Sequence, residues 1–203
     1  MTALYKRITL AAFLFLSILS TTVNAQESTD TPYVRLETSM GSITLKLYPE
    51  KSPTTVANFL DYVDSGHYDN TVFHRVISNF MVQGGGFDTD LVEKPTKDPI
   101  INESKNKLHN IRGTVAMART SDPDSASAQF FINQRSNLRL DWAPGKVGYT
   151  VFGEVVDGMG VVDFISTAKT GPATATTSQG QATFGDVPVD AIVLKKALRV
   201  SAP

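Results

Sequence analysis

Phe73-His74-Arg75-Val76-Ile77-Ser78-Asn79-Phe80-Met81-Val82-Gln83-Gly84-Gly85-Gly86 contains two strand-like runs separated at Ser78-Asn79 by turn formers. In an extended chain successive side chains point to opposite faces, so Arg75 takes one face of the first run, and Met81 and Gln83 share a face of the second. A later run, Ala128-Gln129-Phe130-Phe131-Ile132-Asn133, repeats the device: Gln129 and Phe131 face one way, Phe130 and Ile132 the other. Together they predict an apolar surface carrying one guanidinium and two amides.

Outward from these runs, the chain reads as many short strands and few helices. Val34, Leu36, Ile43, Leu45 and Leu47 alternate with polar residues around Ser39-Met40-Gly41, which predicts two strands joined by a tight turn. Ser52-Pro53 signals a helix start, Val56, Phe59, Leu60 and Val63 recur at helical spacing, and Gly66 closes the segment. Asp88 to Arg112 is polar and reads as loop. Thr114 to Ala118 and Thr150 to Val155 read as further strands. Val161, Val162, Phe164 and Ile165 mark a second short helix, Thr167 to Asp186 reads as an exposed loop, and Ala191 to Val200 as a closing strand. Such a mixture in one domain predicts an antiparallel barrel plugged by its helices.

The N-terminus stands apart from this pattern. Lys6 and Arg7 precede an apolar run from Ile8 to Leu19, and Val23-Asn24-Ala25 offers a signal-peptidase site, so residues 1–25 read as a cleavable signal peptide. The run is shorter than the roughly 20 residues a spanning helix needs, so no membrane anchor is expected after cleavage. Residues 26–32 read as a flexible lead-in and 33–203 as the functional domain.

Composition narrows the function. The chain has 203 residues, no cysteine and a formal charge of -1, and loss of Lys6 and Arg7 with the leader takes that charge to -3. No basic field invites nucleic acid. Without cysteine there is no disulfide framework and no thiolate nucleophile. His67, His74 and His109 lack metal-ligand spacing, so no metal is expected and His74 reads as structural. Gly84-Gly85-Gly86 is not followed by the lysine of a phosphate loop, and no Gly-x-Ser-x-Gly elbow exists. Asp122 and Asp124 lack the glycine and terminal glutamate of a calcium loop.

The paired runs 73–86 and 128–133 resemble the signature of the cyclophilin family of peptidyl-prolyl cis/trans isomerases. Met117-Ala118-Arg119-Thr120, Leu140-Asp141 and Tyr149-Thr150-Val151-Phe152-Gly153 extend the resemblance, which spans roughly Tyr33 to Val200 and is nearest to the bacterial periplasmic branch. It implies a mainly β fold, a closed eight-stranded antiparallel β-barrel capped by two α-helices. It also implies that Arg75 is the catalytic group, that Phe80, Met81, Phe131 and Leu140 line a proline pocket, and that Gln83 and Gln129 bind peptide backbone. Ala118 and Arg119 should meet the residues before the proline, Arg119 through its backbone. Tyr149 is placed at the site where many members carry histidine, and Arg139 stands where a tryptophan is common. No cofactor is implied. The expected partners are proline-containing segments of folding envelope proteins, met by a monomer in the periplasm, or outside the cell if secretion is complete. A passive binding module using the same groove, and a hydrolase using paired carboxylates, are the alternatives; no pair of acids stands in a motif that would support the latter.

Overall fold

The computed structural model describes residues 31–203, so the expected signal peptide and residues 26–30 of the lead-in lie outside the described residues. The chain runs through β1 (Tyr33–Thr38), β2 (Gly41–Leu47), α1 (Pro53–Asp64), β3 (Thr71–Val72), β4 (Arg75–Ile77), β5 (Met81–Gly84), β6 (Thr114–Met117), β7 (Phe130–Asn133), β8 (Val151–Asp157), α2 (Met159–Ser166), β9 (Thr170–Thr177), β10 (Gly180–Pro188) and β11 (Val193–Val200). Mainly β structure with two α-helices is therefore as the sequence predicts.

The closed eight-stranded barrel is not. Nine strands form one sheet in the order β3-β11-β1-β2-β8-β6-β7-β5-β4, and its ladder does not close. The reason lies at Phe73-His74. These two residues break the extended run into β3, which pairs with β11, and β4, which pairs with β5. The first and last strands of the sheet are thus consecutive in sequence, which forces the sheet to curl round until its two edges are joined by the chain itself. The amide of Phe73 still donates to the Ile192 carbonyl at 2.9 Å, on the β11 side.

A second correction concerns Thr167 to Asp186, expected as a loop. Thr170 to Pro188 instead folds into the hairpin β9–β10, a separate two-stranded sheet. Its residues are mostly small and polar, with Ala175 its one fully buried alanine, so its two faces carry little contrast for alternation to reveal.

Inside the curl, Val34, Leu36, Ile43, Leu45 and Leu47 of the first hairpin join Phe59 of α1 and Val162 and Ile165 of α2 in one buried core. Phe59 packs against Tyr68, Phe130 and Phe152 at centroid distances of 5.2, 5.6 and 5.0 Å. In α2, Phe164 points outward and is 61% exposed.

Helix α1 starts at Pro53 as predicted, but Ser52 does not cap it: its hydroxyl donates to the Val151 carbonyl. The carboxylate of Glu103, far along the chain, accepts from the Thr54 and Thr55 amides at 3.1 and 2.8 Å and from the Thr55 hydroxyl at 2.7 Å. A negative group is held where the helix leaves unpaired N–H donors. Replacing Glu103 with alanine should therefore lower the unfolding free energy by about 1–2 kcal/mol. Urea unfolding of wild type and Glu103→Ala checks this, and coincident curves would contradict it.

Candidate functional site

Alternation along five neighbouring strands makes part of the sheet apolar on both faces. Val76, Val82, Val115, Met117, Phe130, Ile132 and Phe152 point into the main core. Ile77, Met81, Ala116, Phe131 and Val151 point the other way and form a second cluster, with Phe80, Leu108, Ala118, Leu140 and Tyr149 packed around it. An outer sheet face would ordinarily be polar; here it builds a notch.

Register aligns the chemistry. Arg75 lies opposite Gln83 across β4 and β5, Gln83 opposite Phe131 across β5 and β7, and Phe131 opposite Ala116 across β7 and β6. One rung therefore carries a guanidinium, an amide and a phenyl ring on adjacent strands, spaced by roughly 4.8 Å per strand. Gln83 Nε2 donates to Gln129 Oε1 at 2.9 Å, and Arg75 Nη1 reaches Gln83 Oε1 at 3.5 Å, the outer limit of a hydrogen bond. Gly86 makes room for this row, because a Cβ there would lie 2.5 Å from Gln129 Cγ.

A cavity of about 410 Å³ sits over the rung, and all ten residues expected from the sequence line it: Arg75, Phe80, Met81, Gln83, Ala118, Arg119, Gln129, Phe131, Leu140 and Tyr149. Met81 and Phe131, at 2% and 4% exposure, form its floor. Strict alternation would send Phe80 away from Met81. Asn79 has a positive φ of 56° and Phe80 precedes β5, so the turn swings the ring to the Met81 side. The Phe80 carbonyl accepts from the Asn137 side-chain amide at 2.9 Å, which fixes that turn. On the far wall Tyr149 meets Phe131 edge-on at 5.7 Å. The Arg119 guanidinium lies 4.5 Å from the Tyr149 centroid and donates to the Val147 and Gly148 carbonyls, so this side chain is tied down. Arg139 covers Phe80 at 4.8 Å.

Five lining residues were not anticipated as part of the site: His74, Phe87, Glu93, Thr177 and Phe184. Thr177 and Phe184 belong to the unforeseen β9–β10 hairpin, and Glu93 holds it, accepting from the Ser178 amide at 2.8 Å. His74, Phe87 and Phe184 stack together behind Arg75, with centroids 4.6 Å apart for His74–Phe87 and 5.4 Å for Phe87–Phe184. Burial pushes the His74 imidazole down to about 4, so it is neutral at physiological pH and serves as an aromatic wedge, the structural role expected of it.

A family model described as cyclophilin type peptidyl-prolyl cis-trans isomerase/CLD matches residues 33–189. Among curated relatives, peptidyl-prolyl cis-trans isomerase A of Dickeya dadantii is 46% identical over 192 residues, covering 95% of this chain and 96% of its own length. Peptidyl-prolyl cis-trans isomerase B of Escherichia coli is 53% identical over 141 residues, 68% of this chain and 86% of its own. Among solved structures, a cyclophilin-type isomerase of Cryptosporidium parvum, determined in the presence of the dipeptide Ala-Pro, matches with a TM-score of 0.67 at 26% identity, over 84% of this chain and 99% of that one.

The neutral wedge gives a pH dependence of definite sign. A histidine whose folded value lies below its ordinary 6.5 contributes stability that is complete above pH 6.5 and lost as pH falls toward about 4. Over that window the loss from His74 is roughly 3 kcal/mol. The His74→Phe variant keeps a ring between Phe87 and Phe184 but cannot titrate. Its unfolding free energy should fall by roughly 2 kcal/mol less than wild type between pH 7 and pH 4.5. His67, also lowered by burial, remains in both proteins. Parallel pH profiles would contradict the assignment.

Proposed function

The chain belongs to the cyclophilin-type peptidyl-prolyl cis-trans isomerase family and is an isomerase of that type, and on that premise we propose that Arg75 is the group that lowers the barrier to X-Pro rotation. The single observation that carries this reading is the rung Arg75–Gln83–Phe131, which sets a guanidinium on the rim of an apolar notch.

Amide resonance raises a barrier of about 18–20 kcal/mol to rotation, and uncatalysed isomerisation takes roughly 10–100 s. Twisting the bond localises the lone pair on the proline nitrogen and makes that atom more basic. An N–H of Arg75 aimed at this nitrogen, or at the adjacent carbonyl, binds the twisted amide more strongly than the planar one, which is the requirement for acceleration. Each ~1.4 kcal/mol of such preference is a tenfold gain. Phe80, Met81, Phe131 and Leu140 would seat the proline ring and keep water from the guanidinium, raising the strength of its hydrogen bond. Gln83 and Gln129 would hold peptide backbone on one side of the rotating bond. Ala118 and the main chain of Arg119 would receive the residues before the proline, with Tyr149 closing that wall. No step needs a proton transfer, a covalent intermediate, a metal or a cofactor.

The substrates we propose are proline-containing segments of exported proteins during folding, met by a monomer in the periplasm. Support for the location comes from the leader read in residues 1–25. No helix among the described residues is long and apolar enough to cross a membrane. N-terminal sequencing of the protein recovered from an osmotic-shock fraction should begin at Gln26; recovery from the cytoplasm with Met1 intact would refute export.

Arg75→Ala should reduce kcat/KM for a short proline peptide by roughly a hundredfold or more, the usual effect of deleting a donor aimed at a transition state. Phe131→Ala should act mainly by weakening peptide binding. An Arg75→Ala enzyme with the wild-type rate would remove Arg75 from the mechanism; retained client function in Arg75→Ala with its loss in Phe131→Ala would favour the passive binding function instead.

A further inference from the structure

The hairpin β9–β10 brings one carboxylate beside Arg75. Phe184 is docked against Phe87 and His74, and Asp186 follows within an irregularity of β10 between Phe184 and Val187, where its carboxylate comes beside Arg75. Its Oδ2 lies 3.8 Å from Arg75 Nε. Among the described residues Arg75 is the only cation within ion-pair distance of Asp186, and Asp186 is the only acid within that distance of Arg75. The guanidinium is therefore bracketed: Nε faces Asp186 on the hairpin, and Nη1 faces Gln83 Oε1 on the sheet, itself held by Gln129.

A planar guanidinium has five N–H donors in a fixed fork; here Nε lies toward Asp186 at an ion-pair separation longer than a hydrogen bond and Nη1 toward Gln83 Oε1, which favours one plane of the group and leaves the remaining donors for the groove. Arg75 and Asp186 side chains are each 44% exposed, so the attraction itself is weak. Orientation is the stronger consequence. A long exposed side chain otherwise samples many rotamers, and a donor contributes to catalysis only when it is already aimed at the place where charge develops.

We propose that Asp186 is a positioning residue for Arg75, holding its guanidinium in the orientation that meets the twisting amide. The hairpin is then part of the catalytic apparatus rather than a surface decoration. Contact with the peptide is not required of Asp186; it acts through Arg75. This inference rests on the catalytic reading of Arg75.

The test is a double-mutant cycle on the full mature protein with a short proline peptide. Asp186→Asn should lower kcat roughly three- to fivefold with KM nearly unchanged, the size of a well-placed exposed pair. Asp186→Glu should restore most of the loss, and the unfolding midpoint should not move, because Phe184 still docks the hairpin. In an Arg75→Ala background Asp186→Asn should change the residual rate no further. Raising salt should bring wild type toward Asp186→Asn, since the pair is exposed. A full rate in Asp186→Asn, or the same fold-loss in both backgrounds, overturns the proposal while leaving the role of Arg75 intact. A full rate in Arg75→Ala alone overturns both.

Discussion

Across β4, β5, β7 and β6 a single rung of side chains, Arg75, Gln83, Phe131 and Ala116, stands on the outer face of the curled sheet. Strand side chains alternate with a period of two, so a one-residue slip in any of these ladders would turn its member of the rung into the core and bring a core residue out. The register is secured from the other face. Val76, Val82, Phe130, Ile132 and Val115 are each nearly or wholly inaccessible to water, and reversing even one pair would expose large apolar side chains. Folding energy and site geometry are thus set by the same pairing. The binding notch is the reverse side of the core.

That arrangement accounts for how clearly the site could be read from sequence. Four of its ten expected residues, Arg75, Met81, Gln83 and Phe131, lie on strands where the two faces differ in chemistry, with Gln83 beside Val82 and Phe131 beside Phe130; Ala118, Arg119, Leu140 and Tyr149 lie off the strands and were expected only from the family resemblance. Phe80 is the exception that shows the limit. It lines the notch because a left-handed Asn79 re-aims the chain just before β5, and a rule for extended backbone says nothing about such a turn. What stayed hidden was long-range or lacked contrast. Glu103 caps α1 across nearly fifty residues of chain, with no local signal for the pairing. The hairpin β9–β10 is built largely from threonine, alanine and glycine, so alternation marks neither face. Barrel closure failed at Phe73-His74, where an apparently continuous run changes partners from β11 to β5.

The chemistry asked of the site is modest in kind and demanding in placement. Rotation about an amide transfers no proton and breaks no bond, so the protein has to supply a dry wall for the ring, a grip on the flanking backbone and a charge that favours the twisted geometry. The described residues bring together an apolar floor at Met81 and Phe131, an amide pair at Gln83 and Gln129, and one guanidinium at their edge. The aromatic stack of His74, Phe87 and Phe184 stands behind that edge and ties the hairpin to the sheet. Its neutral histidine adds no second positive charge beside Arg75.

Catalysis by Arg75 depends on where a bound proline sits relative to that side chain. A crystal structure of the mature protein with a short Ala-Pro-containing peptide should place the ring against Phe131 and Met81. A guanidinium N–H of Arg75 should then lie at about 3 Å from the proline nitrogen or the adjacent carbonyl oxygen. A peptide seated with its proline outside this notch, or with Arg75 turned away from the amide, would contradict it.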